Sequence, residues 1–480
     1  MIWAFFEKLS IQIIQFIVGI ILARILAPED FGVVAIIMAL LVIIQNVIDG
    51  GFSQALIQKK ERTNTDLSTV FYFNIIFGIL LYIILYFLAP TISIFYKTPS
   101  LTDFIRVLGL NIILYSLIIV DITICTFNNR FKIQAKFSLI ASINSGFFAL
   151  FFAYLGFGIW SLIFQSLIFY FILATQYLFF SGWKPNKVFS KDSLYELFDF
   201  GSKLLVTNLI HTLYTQLNAI LIGRFFSVKS LGYYSTAEKF GSLPLGNLTL
   251  AFQKVSFPKL TEAQNDNLKL KTITRDYLKK MSIIVFFVLL LLSAIAKPLI
   301  LFVIGEKWLN SIIFLQLISI GFLFDHIFAV NLNLIKAVGK SNLILKLEII
   351  KKIVSVTILI VMMYFYGIIG LCLAKIIYSQ IGFLINAYYP GKFFSYGYSR
   401  QWKDIYKYLI IGIASVLPAY ILSEFSNIRH IYALVISTLI SAVVYTSTLQ
   451  LIKDKSFFEL KAYFLNYFNK ITTKNNNLND

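Results

Sequence analysis

Ionisable side chains stand inside or at the ends of long apolar runs, and they carry the first chemical signal: Arg24, Arg224, Glu238, Lys239, Asp325, Glu348, Lys351, Lys352 and Lys375. Such residues cost about 2.5 to 3.5 kcal/mol each at the centre of a membrane-crossing helix, which makes them functional candidates by default. Asp325 lies near the middle of its run, beside His326 and upstream of Asn331 and Asn333. Lys375 lies about eight residues into its own run, roughly 12 Å deep at a rise of about 1.5 Å per residue. Lys351 and Lys352 follow Glu348 at the three- and four-residue spacings that form ion pairs on a helix. Arg24 and Arg224 end their runs in "ILARILAPEDFG" (21–32) and "LIGRFFSVKSLG" (221–232). There a long cation either snorkels to the headgroups or lines a passage. Cations outnumber carboxylates in this set. A cavity shared by Arg24, Arg224, Lys239, Lys351, Lys352 and Lys375 would be electropositive and suited to a pyrophosphate, held by charge-assisted hydrogen bonds. Asp325, Glu238 and Glu348 are the candidates for coupling to Na⁺ or H⁺, because a buried carboxylate can change protonation state. Some have a plainer alternative: Glu348 with Lys352 as a purely structural pair, and His326 as a hydrogen-bonded packing residue rather than a proton shuttle, whereas Asp325 and Lys375 cannot reach water midspan without a cavity.

The elements that must position these side chains are membrane helices. The chain is 58% hydrophobic and 14% charged with mean hydropathy +0.80, outside the range of soluble domains. Its apolar blocks match the length of about 20 residues that one crossing requires, and they number about fourteen, from 10–26 to 430–452. The expected fold is an all-α integral membrane bundle. A net charge of +19 suggests nucleic acid in a soluble protein, but here the charge sorts by side. With the N-terminus in the cytoplasm, about 28 Lys/Arg fall in inner loops and about 5 in outer ones, the positive-inside bias. Nucleic acid is therefore not expected as a partner, and both termini are expected in the cytoplasm, with the first span retained. Cys125 and Cys372 lie in or beside apolar runs and imply neither disulfides nor a metal cluster.

The chain also repeats. Arg24 and Gly32 recur as Arg224 and Gly232, Phe52 and Lys59 as Phe252 and Lys259, and "NRFKIQAKFSLI" (129–140) aligns with "GKSNLILKLEII" (339–350). Such ordered matches predict two six-helix lobes, 1–190 and 191–397, as parallel repeats. Two additional helices would occupy 398–455, and a cytoplasmic tail 456–480. The eighth span (231–256) breaks the hydropathy pattern, with Glu238, Lys239, Pro244 and three glycines in "GYYSTAEKFGSLPLGNLTLAFQK". It is tolerable only against protein or a water-filled cleft, and a cleft between the lobes is expected. No G-x-x-x-x-G-K-[ST] loop or H-E-x-x-H motif is present. With inner loops of at most about 20 residues, a catalytic domain has no room, and no enzyme and no resident cofactor are expected.

These segments resemble a known family. "ILARILAPEDFG", "DGGFSQALIQKKERT" (49–63), "GFGIWSL" (156–162), "SLGYYSTAEKF" (230–240) and "AKPLILFVIGEKW" (296–308) are similar to the signature of Wzx-type polysaccharide repeat-unit exporters. That superfamily also holds the multidrug and toxin extrusion transporters and the peptidoglycan-precursor flippases. The resemblance covers nearly the whole chain and implies a V-shaped pair of lobes around a cationic cavity. It implies alternating access that turns an undecaprenyl-pyrophosphate-linked oligosaccharide across the bacterial inner membrane. Polysaccharide polymerase and glycosyltransferases would be partners, besides membrane lipids. Arg24 corresponds to a first-helix arginine of the peptidoglycan-precursor flippases. Ile44 and Gln45 stand where those proteins carry a basic pair, so the resemblance favours a capsule or O-antigen unit over lipid II. Two other readings remain open at this stage: a cation-coupled multidrug extruder, and a non-transporting scaffold for glycan synthesis.

Overall fold

The computed structural model describes residues 2–425 and 428–463; residues 464–480, most of the expected tail, lie outside the described residues. Among the described residues every regular element is helical. Ten stretches among the described residues are long and apolar enough to cross a membrane, as expected of a multi-pass membrane protein. Packing divides the chain into two compact units, Met1–Ser235 and Thr236–Asp480.

The first unit contains α1 (Ile2–Ile25), α2 (Pro28–Asp49), the short α3 (Phe52–Gln58), α4 (Asn64–Phe95), α5 (Leu101–Leu108), α6 (Leu110–Phe127), α7 (Phe131–Tyr154), α8 (Trp160–Phe180), α9 (Lys191–Phe225) and the first turns of α10 (Val228–Glu262). Local chemistry starts these helices. Pro28 opens α2, where a missing N–H costs nothing. A reciprocal Thr63–Asp66 capping box opens α4, at 3.2 and 2.8 Å. α9 packs on α2, α3 and α4, so by packing it belongs with the first unit although the repeat begins at 191. The reason lies partly in glycine. A methyl group on Gly32 would overlap the Val228 carbonyl, and one on Gly232 the Pro28 carbonyl. The two residues that announce the repeat thus bring the starts of α2 and α10 into backbone contact. Glu29 and Lys229 pair at 3.4 Å beside them.

The second unit holds the rest of α10, then α11 (Asn267–Ala294), α12 (Ala296–Val303), α13 (Ser311–Gly321), α14 (Asp325–Ala337), α15 (Ser341–Phe394), α16 (Tyr398–Phe425) and α17 (His430–Leu451). Three expected spans are broken rather than continuous: 102–124 at Gly109, 281–304 at Ile295, and 312–335 at 322–324. The expected spans 343–364 and 367–389 fall in α15, which turns at Gly367 with φ 58° and ψ −138°, a conformation essentially confined to glycine. α9 and α10 are long, at 35 residues each, yet too polar to rank among the ten apolar stretches, and the apolar part of α1 is the shorter Ser10–Ile25. The two additional helices are built into the core. Ile405 and Tyr408 of α16 and Tyr445 of α17 pack with Met281 and Phe286 of α11 and Ile327 of α14. Tyr445 donates to the Ile283 carbonyl at 2.8 Å.

Beyond α17 the chain is held by Asp454. Its side chain is buried, accepts from the Phe457 N–H at 2.9 Å and from the Tyr408 hydroxyl at 3.1 Å, and pairs with Lys407. Burial works to raise its pKa, but the Lys407 bond, the Phe457 N–H and the Tyr408 hydroxyl outweigh it, so the carboxyl lies below the usual range. A depressed folded pKa adds stability that is complete above the unfolded value of about 3.9 and lost as pH falls through the folded one.

Two outcomes follow from this packing. Gly232→Val should lower the thermal midpoint in detergent, overpacking a tight contact costing about 1–3 kcal/mol, whereas Gly246→Ala, on the same helix with nothing within 4 Å, should not. Equal midpoints for the two variants would remove the role given to the Gly32–Gly232 contact. Asp454→Asn should be about 1.5–3 kcal/mol less stable at neutral pH and should lose less of its midpoint between about pH 6 and pH 3 than the parent. Parallel acid profiles would show that Asp454 is not the titrating group.

Candidate functional site

The break between α13 and α14 positions the central pair. Asp325 opens α14, where the positive end of the helix dipole favours a carboxylate. From the second half of α15, Lys375 donates to it at 2.7 and 3.0 Å. The ammonium also lies 5.1 Å from the Phe322 ring and 5.8 Å from that of Tyr378, within cation–π range. Gly321 makes the approach possible, because a Cβ there would sit 2.7 Å from Lys375 Cγ. α10 reaches the same place: Gly241 abuts Ile318 and Phe322, and one turn earlier Glu238 interacts electrostatically with Lys375 and Lys239. The structure therefore joins Asp325 and Lys375 from two helices, with α10 packed against Phe322 beside them. The Lys375 and Asp325 side chains keep 29% and 22% of their surface exposed, so the pair is reachable and Lys375 has room to exchange partners.

The other expected site residues are distributed more widely. Lys351 is buried, bonded to Glu348 one turn back, with the Phe328 ring 5.4 Å away. Lys352 is partly buried and Lys239 exposed. Arg224 donates to the Phe95 carbonyl at 2.8 Å and lies over the Phe95 ring, closing the C-terminal end of α4. Arg24 is exposed at the end of α1. His326 is fully buried, with Nε2 2.9 Å from the Ser282 hydroxyl and its ring against Phe286, the geometry of a packing residue. Two of the counted cations, Lys351 and Lys375, are thus each bonded to a carboxylate of the same set.

Sequence reasoning passed over a polar line in the first unit. Asp49 accepts from the Ser53 hydroxyl at 2.5 Å, and the Thr123 hydroxyl lies 3.0 Å from that of Ser53. Gln45 donates to the Tyr170 hydroxyl at 3.3 Å. Asp121 is buried, and its Oδ1 has no hydrogen-bond partner among the described residues. The signal was present, since "LIIVDITIC" (117–125) sets an acid inside an apolar run. Also unforeseen is a reciprocal amide pair, Asn331 with Gln401 at 3.0 Å in both directions, joining α14 to α16. Arg275 and Lys279 of α11 meet Asp404 of α16 at 2.6 and 3.2 Å.

The profile of a family described as polysaccharide biosynthesis protein matches residues 21–313. The chain belongs to this family. Among curated relatives of the family member described here, teichuronic acid biosynthesis protein TuaB of Bacillus subtilis (strain 168) is 25% identical over 351 residues, 71% of each chain. Lipopolysaccharide biosynthesis protein WzxC of Escherichia coli (strain K12) is 22% identical over 378 residues, 76% of this chain and 75% of that one. A solved structure of lipid II flippase MurJ in an inward closed conformation superposes with a TM-score of 0.78 at 19% identity, covering 95% of this chain and 99% of that chain. The last likeness establishes a shared fold.

In this family member the Lys375–Asp325 bond lends itself to a double-mutant cycle. Lys375→Met and Asp325→Asn should each lower the thermal midpoint, and the double variant should recover part of the loss, with a coupling of about 1–3 kcal/mol. Strictly additive losses would show that the two side chains do not stabilise one another.

Proposed function

We propose that the protein is a flippase that carries an undecaprenyl-pyrophosphate-linked oligosaccharide, a repeat unit of a surface polysaccharide, across the bacterial cytoplasmic membrane by alternating access. One observation carries the reading: a chain of the polysaccharide biosynthesis family shares, over 95% of its length, the fold of a protein that flips a lipid-linked glycan precursor. The names of the curated relatives, drawn from teichuronic acid and lipopolysaccharide synthesis, point to the same class of substrate.

Within that reading Lys375 is the principal phosphate ligand. Its ammonium rests on Asp325 in the absence of substrate, and a pyrophosphate oxygen competes with that carboxylate for it. Lys239, Lys351, Lys352, Arg24 and Arg224 are secondary candidates; Lys351 holds Glu348 and Arg224 the Phe95 carbonyl. Displaced from Lys375, Asp325 is left without its cation. Uptake of one H⁺ or Na⁺ there would restore neutrality and give the cycle its direction. The charge asymmetry of the loops supports cytoplasmic termini. A polymerase and glycosyltransferases are the expected neighbours, since a flipped unit must be made on one side and consumed on the other. This is a transport role rather than a catalytic one.

The test is transport of a lipid-linked oligosaccharide in proteoliposomes, read by the glycan's accessibility to an external lectin. Lys375→Gln should slow it by about tenfold or more, the loss of one charge-assisted contact being about 1.5–3 kcal/mol, and Lys375→Arg should retain more. Undiminished transport by Lys375→Gln would remove the phosphate role. Indifference to both Na⁺ and pH gradients would remove the coupling. A protein that moves no lipid, yet is required for glycan assembly in cells, would instead be a scaffold.

A further inference from the structure

Two cavities lie side by side in the first unit. One, of about 380 Å³, lies between α6 and α8 and is lined only by apolar side chains, among them Leu110, Leu114, Leu167 and Phe171. The other, of about 740 Å³, lies between α7 and α8, with Ile133, Ile140, Phe171 and Phe180 in its wall. Phe171 borders both, so together they form one track along α8. From Leu167 to Phe180 that track rises about 20 Å at about 1.5 Å per residue, more than the hydrocarbon depth of one leaflet, about 15 Å.

The polar residues of the track are not equivalent. Thr175 donates its hydroxyl to the Phe171 carbonyl at 2.5 Å, and Gln176 its amide to the carbonyls of Phe137 and Ile172 at 3.2 and 3.3 Å. These groups are spent on the helices and leave the wall apolar. Lys136 differs: it lines the larger cavity, is exposed, and forms no ion pair among the described residues. It stands at the end where α7 begins and α8 stops, which Arg130 ties together by donating to the Ser181 carbonyl at 3.4 Å. The basic segment 128–136, which runs into α7, and the basic segment 183–192, which follows α8, both lie next to this end in sequence.

An apolar track of leaflet height with one unsatisfied cation at its membrane-surface end has the chemistry of a single lipid. We propose that it binds an anionic phospholipid of the leaflet facing the basic loops, with the phosphate on Lys136 and one acyl chain lying along α8 past Phe171. This site is separate from Asp325 and Lys375, which belong to the other unit, and it does not depend on what the protein transports.

The test uses the full chain purified into nanodiscs of equal phosphatidylglycerol and phosphatidylcholine, with a trace of phosphatidylglycerol carrying a photoreactive acyl chain. The parent should retain phosphatidylglycerol preferentially on native mass spectrometry and be labelled within 131–180. Lys136→Gln should weaken that preference about fivefold, the expected effect of one cation beside an anionic surface, and Lys136→Arg should keep it. Ile140→Trp, which fills the track from an exposed position, should lose the label while Lys136 remains; an unchanged thermal midpoint controls for folding. No preference in the parent, label confined to other helices, or an unaltered preference in Lys136→Gln would each overturn the proposal. So would displacement of the label by a polyprenyl pyrophosphate at concentrations where phosphatidylglycerol fails to compete, since the groove would then belong to the substrate lipid.

Discussion

Inside hydrocarbon no water completes a hydrogen bond or screens a charge, so each polar group that enters must bring its partner from the same chain. The Lys375–Asp325 bond is where this constraint is most demanding, because both ions lie within expected spans. Much of the surrounding structure serves it. Gly321 gives way to the lysine stem, Phe322 and Tyr378 face the ammonium, and the interruption before Asp325 supplies a helix start that favours the carboxylate. A continuous helix through 322–324 would leave Asp325 without that dipole and its charge harder to hold.

The same constraint explains what could be read in advance. Apolar block length is set by bilayer thickness, so the helical membrane class and the approximate positions of the spans were legible. Depth marked Asp325 and Lys375, which are bonded, whereas Glu348, expected to form its structural pair with Lys352, is bonded to Lys351. What escaped was set by packing. Nothing in "ISIGFLFDHIF" (318–328) says that the helix stops at Gly321 and resumes at Asp325, because every residue there is compatible with a continuous helix. Arg24 and Arg224 occupy matching places in the repeat, yet Arg224 finds the Phe95 carbonyl within reach, a tertiary accident of where α4 ends. Partner choice of that kind leaves no periodic trace.

The two units solve the polar problem differently. In the first, Asp49, Ser53 and Thr123 form a line of hydroxyls around a carboxylate, with Gln45 one turn before Asp49 on α2 bonded to Tyr170 of α8. In the second, ion pairs stand within the expected spans, Lys375 with Asp325 and Lys351 with Glu348, and the end of the unit beyond the spans is laced by Arg275, Lys279 and Asp404 and by Lys407 and Asp454.

The buried amides of Asn331 and Gln401 bear on how the second unit can deform. Sliding α14 along α16 by even one residue would break both of their bonds at once, with no solvent to replace them, and the Arg275–Asp404 fork adds α11 to the same rigid block. The joint between α13 and α14 is held less regularly: Phe322 still donates to the Ile318 carbonyl at 3.0 Å, but Leu323 and Asp325 donate only three residues back, to Ile320 and Phe322 at 3.2 and 3.1 Å. Asp325 sits on the stiff side of that joint and Gly321 on the compliant side, so bending there would move α13 while leaving the carboxylate anchored.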